Sequence, residues 1–185
     1  MNRLFAPFLF SFLPLFSFSG CLISETAEYK LFLNEDEKSG AFIIVRGNMQ
    51  SDASSPDQQE KDFTELIGNW KSDEYLLQQM NKNVYVKERT LSLDKGKLIW
   101  KEALIFSDVT KLFPDLRATD TVRIPFKESD GNVISTNGNV RKDKGTAIVL
   151  WPPHTRQFVV KTKTRKFTPT SDFARRFVGY RKKKG

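Results

Sequence analysis

The sequence predicts an α+β domain: a single, mainly antiparallel sheet of about seven or eight strands with two short helices packed on it. Three observations predict it. Short runs with alternating apolar residues recur, each bounded by Gly, Asn, Asp or Ser. One window between two such hairpins carries its apolar residues at helical spacing. No internal repeat period organises the series, and strands joined by tight turns around a central helical segment indicate α+β rather than alternating β–α–β order.

The first 20 residues stand apart from that domain. MNRLFAPFLFSFLPLFSFSG has one positive charge at Arg3, an apolar run from Leu4 to Phe18 and small residues at Ser19 and Gly20, the three parts of a secretory signal peptide. Pro7, Ser11, Pro14 and Ser17 interrupt the run, which is shorter than the roughly 20 apolar residues a membrane-crossing helix needs. Residues 21–27 then read as a tether, 28–166 as the domain and 167–185 as a basic C-terminal tail.

Within the domain, EYKLFL (28–33) and AFIIVRG (41–47) read as strands joined through the turn residues of NEDEKSG, a first hairpin. The polar stretch 48–61 is expected as a loop leading to a helix near Glu60. Phe63, Leu66, Ile67 and Trp70 follow at helical spacing, then Tyr75, Leu76, Leu77 and Met80 after a break around Lys71–Asp73. Ser72 before two acids suits the start of a second helix. NVYVKERTLSLD and GKLIWKEALIFS form a second hairpin around a tight DKGK turn, and DVTKLFPDL is expected to make one helical turn stopped near Pro114. TVRIPF, NVIST, TAIVLW and QFVVKTKTRK complete the strands.

Charge is unevenly distributed. The chain is formally +8, but residues 161–185 hold ten Lys or Arg against one acid, Asp172, whereas residues 21–160 hold 19 basic and 21 acidic residues. A nucleic-acid-binding fold would carry positive charge and aromatics across its folded face, so nucleic acid is not the expected partner. An anionic membrane surface or envelope polymer fits such a tail better. In SDFARRFVGYRKKKG, Ser171 and Asp172 can cap a helix with Phe173, Phe177 and Tyr180 on one side and Arg175, Arg176, Arg181, Lys182, Lys183 and Lys184 supplying charge. Two readings stay open: a basic amphipathic helix lying on a membrane, or a terminus whose aromatics dock on the domain.

Cys21 is the lone cysteine and His154 the lone histidine, so neither an internal disulfide nor a zinc site is available from this pair. FSGC, at residues 18–21, resembles the lipobox of bacterial lipoproteins, with Phe18 in place of the usual Leu. That resemblance implies cleavage before Cys21, a diacylglyceryl group on its sulfur and an acylated new amino terminus. The protein would then be lipid-anchored at the cell envelope, on the outer membrane if the host has two, since Leu22 is not the aspartate that retains lipoproteins inside. The alternative is plain secretion with a free thiol, a reactive liability on an exported chain.

The run DGNVISTNGNVRKDKGTAIVLWPPHTRQFVVKTK, with VRIPF before it, is similar to the C-terminal half of the domain in LppM-like bacterial lipoproteins, on Gly131, Val133, Asn137, Gly138 and Trp151. The order of elements extends the resemblance over roughly residues 28–164. It implies an envelope-associated role with contact to lipid or glycolipid. These are turn and core residues and carry no chemistry themselves.

Catalytic and metal patterns are weak. Ser92 and Lys95 have Ser-x-x-Lys spacing but lead from a strand into a turn. His154 lies in a Pro-rich loop, and Glu35, Asp36 and Glu37 lack the alternating ligands of a calcium loop. The sequence therefore points to a non-catalytic binding or structural module with no cofactor and no metal. Two alternatives are an exported hydrolase with an unrecognised site and an interaction subunit of an envelope complex.

Overall fold

The computed structural model describes residues 22–113, 116, 122–127, 131–143 and 146–184. Among these the chain forms β1 (Leu22–Leu33), β2 (Gly40–Ser51), α1 (Pro56–Lys71), α2 (Asp73–Met80), β3 (Val84–Asp94), β4 (Lys97–Phe106), a 3-10 turn (Val109–Lys111), β5 (Val122–Lys127), β6 (Asn132–Thr136), β7 (Asn139–Asp143), β8 (Thr146–Trp151), β9 (Gln157–Lys163) and α3 (Phe173–Lys184). The α+β class holds, and every strand pair is antiparallel.

The strands make two sheets where one was expected. The larger runs β3-β4-β2-β1-β9-β6 and the smaller β5-β8-β7. Alternating apolar residues read the same whichever sheet a strand joins, so periodicity alone does not separate them. The crossing point is local and chemical. Asn137 follows β6, the edge of the large sheet, and its side chain takes hydrogen bonds from Trp151 Nε1 (2.9 Å) and Val159 N (2.9 Å) while donating to Gln157 O (2.8 Å). Gly138 next to it lies so close to Trp151 that a Cβ would meet the indole at 2.7 Å and Leu150 O at 2.8 Å. Gly131, at φ +100°, enters β6 against Lys163 O, where a Cβ would sit at 2.7 Å.

One face of the large sheet is covered twice over. Towards one end, Leu31, Phe42, Leu104, Phe106, Phe158 and Val160 pack with Ile124, Phe126, Val149 and Trp151 of the small sheet. Towards the other, Leu91, Leu98 and Trp100 pack with Phe63 and Leu66 of α1 and Phe173 and Phe177 of α3. The β3–β4 turn has φ of +49° at Lys95 and +76° at Gly96, the paired left-handed conformation of a two-residue hairpin turn.

Three boundaries differ from expectation. β1 begins at Leu22, so residues 22–27, expected as a tether, are paired strand, with Leu22 opposite Ser51 and Thr26 opposite both Gly47 and Lys163. α1 begins at Pro56, inside the expected loop, because the Ser55 side chain accepts from Gln58 N and Pro56 occupies the first turn. β7 has no counterpart among the expected strands; it is a strand at the edge of the small sheet with Val140, Arg141 and Lys142 exposed, so it carries no buried stripe to announce it. The expected cap at Ser72 is present, its hydroxyl accepting from Tyr75 N.

Candidate functional site

The end of the domain where the chain begins is the first locus. Cys21 lies outside the described residues; Leu22, bonded to it, packs against the cluster that Phe173 and Phe177 close. The chain leaving β9 returns to the same place, with Thr164 N donating to Glu25 O and Thr164 Oγ1 to Ser24 O. Lys97 and Asn48 bind the Glu25 carboxylate at 2.8 and 3.1 Å and hold its pKa below the ordinary value, the Lys97 hydrogen bond contributing most.

From there Thr170 and Ser171 stitch the segment to the end of β2. Thr170 Oγ1 donates to Ala53 O, and Ser171 Oγ accepts from Ser51 N. Asp172 caps α3 by accepting from Arg175 N at 3.0 Å. Phe173 meets Phe63 edge-on at 5.3 Å and Phe177 meets Trp70 at 5.8 Å. The tail is therefore an ordered helix, and the reading in which its aromatics enter a membrane is corrected: Phe173 and Phe177 are fully buried in protein. Of the expected cations, Arg175, Arg181, Lys182 and Lys183 are exposed on α3, while Arg176 pairs with Glu60. Lys184 ends the helix.

The second locus was missed in the sequence. Between the two apolar clusters, on β4, sits Glu102, fully buried. Arg89 is its cross-strand neighbour on β3 and Ile44 on β2. Tyr75 Oη of α2 donates to Glu102 Oε2 at 3.1 Å, and Arg89 Nη2 donates to Ser72 O at 2.9 Å. Burial pushes the Glu102 carboxyl up to about 7 against the opposing pull of Tyr75, Arg89 and Arg46, and burial likewise pushes the Tyr75 phenol up. Glu102 Oε1, Gln79 Oε1 and Arg89 Nη1 are buried without a hydrogen-bond partner among the described residues. The sequence signal was available: residue 102 continues the inward register of Leu98 and Trp100, where an acid is out of place.

The remaining candidates are dispersed. Ser92 is in β3 and Lys95 in the turn, not on one turn of a helix. Asp36 accepts from Lys38 N, Ser39 N and Ser39 Oγ, which lower its pKa and commit it to the hairpin turn. His154 is exposed in the loop before β9. No group of three metal-ligating side chains occurs among the described residues, and none of their helices is long and apolar enough to cross a membrane.

No protein-family model, curated protein or solved structure matches this chain.

Proposed function

We propose that the protein is an exported lipoprotein held at the cell envelope by lipid on Cys21, acting as a non-catalytic binding or structural module. The exposed cations of α3 add a second contact with anionic headgroups. One observation carries this reading. The residue after Cys21 and the basic helix share one apolar cluster, so an acyl group and the cations would meet the same surface. Several acyl chains on and beside one cysteine already hold a protein durably in a bilayer, so the cations would set how the domain lies on the surface rather than whether it stays there.

Mass spectrometry of the mature N-terminal peptide tests the anchor: a diacylglyceryl mass on Cys21 is expected, and an unmodified thiol or a different terminus overturns it. For the helix, replacing Arg175, Arg181, Lys182 and Lys183 by Gln leaves the buried aromatics in place. With the anchor removed (residues 1–20 deleted and Cys21→Ser), at about 1 kcal/mol per basic residue near an anionic surface, sedimentation with phosphatidylserine-containing vesicles should weaken by tenfold or more at low salt. Unchanged binding would remove α3 from the membrane contact.

The interaction-subunit reading is favoured by a different feature. The outer face of the large sheet leaves Tyr85 and Ile105 exposed as cross-strand neighbours. In-cell crosslinking from position 105 tests it, a discrete adduct that disappears in Tyr85→Lys being expected.

A further inference from the structure

α2 is an inside-out helix. Its buried residue is Gln79, 2% exposed, whereas Leu77 and Met80 are 60% and 48% exposed. With Leu77 and Met80 in solvent and Tyr75 and Leu76 only half-buried, the hydrophobic effect holds this helix down weakly. Polar contacts hold this one: Tyr75 to Glu102, and Arg89 both to the Ser72 carbonyl at the helix start and 5.0 Å over the Tyr75 ring. Breaks bracket it. Ser72 is extended between α1 and α2, and Asn83, at φ +57°, precedes β3.

We propose that α2 is a hinged cover over the Glu102 seam, closed while the Glu102 carboxyl holds a proton and released as that proton leaves. The groups facing Glu102 are Tyr75 from α2, Arg89 from β3 and Arg46 from β2, with Asp73 acting on Arg89. Glu102 Oε1 and Gln79 Oε1 are both buried acceptors without a donor among the described residues, and a proton on Oε1 turns the first of them into a donor. Ionisation instead places a carboxylate in a dry site. The two arginines offset that cost in part, yet burial remains the largest influence on the group.

The sign follows from where the proton is held. Closed, Glu102 releases it near pH 7; open to water, it returns towards the ordinary 4.5. Between those values the closed form is protonated and the open form is not, so raising pH favours opening, by about 300-fold at most over the full interval. Above and below that window the opening constant is flat.

Hydrogen exchange on the full chain, corrected for the intrinsic rate at each pH, tests this. α2 amides should exchange through an opening smaller than the unfolding that exposes β4, and their opening constant should rise at least tenfold from pH 5 to 7.5. Glu102→Gln, neutral throughout, should abolish the rise. Three results overturn the proposal: α2 and β4 sharing one opening constant, α2 opening indifferent to pH, or the rise persisting in Glu102→Gln. Should that variant not fold, Tyr75→Phe replaces it. Losing that one hydrogen bond should raise α2 opening roughly threefold to tenfold at pH 5, and no increase overturns the hinge.

Discussion

Phe177→Ala is expected to destabilise the domain by about 3–5 kcal/mol, the cost of emptying a fully buried aromatic site that cannot collapse. Phe177 lies against Trp70 of α1 and stacks on Tyr180, within a cluster that also holds Trp100 and Leu98 of β4. Chemical denaturation should show a lower midpoint, and Trp70 emission should shift as its neighbour is lost. Val178→Ala, one residue on and exposed, serves as the control and should change stability by less than about 0.5 kcal/mol. A loss below about 1 kcal/mol for Phe177→Ala would mean that α3 is an appendage, and its place in the core would have to be abandoned.

The second large effect is expected at the crossing between the sheets. Asn137→Ala removes the acceptor of Trp151 Nε1, leaving an indole N–H within a buried side chain, and also the bonds to Val159 and Gln157. An orphaned buried donor costs about 1–3 kcal/mol, so a total of roughly 3 kcal/mol is expected from equilibrium unfolding. Gly138→Ala attacks the same place sterically. Its Cβ would meet backbone as well as the indole, so the small sheet must shift, at a cost of about 1–3 kcal/mol or more. If both variants unfold like wild type, the Asn-Gly corner does not set the relation between the sheets.

Much of this fold was legible because its signals are local. The two hairpins, the Ser72 break and the Asp172 cap each depend on residues within a few positions of one another. The split into two sheets was not legible, since Ile124 and Phe126 alternate in the same way as strands of the larger sheet and only their distant partners differ. Phe173 and Phe177 pose the same problem for the site: aromatic spacing along a helix describes a buried face without saying whether lipid or protein buries it. Glu102 could have been found, because the inward parity of β4 places a carboxylate among Leu98, Trp100, Leu104 and Phe106. Its partners, Tyr75 and Arg89, come from other elements and do not announce themselves in the order of residues.

Starting β1 at Leu22 has a mechanical consequence. Each extended residue gives at most about 3.6 Å of reach, and none intervenes between Cys21 and a strand that pairs with β2 from Leu22 and with β9 as well from Thr26. A group fixed to that sulfur would act as a rigid handle rather than a leash. Were Cys21 to carry an anchor, little slack would separate it from the sheet, so the same side of the domain would face its support and any binding partner would have to approach from above or from the flank.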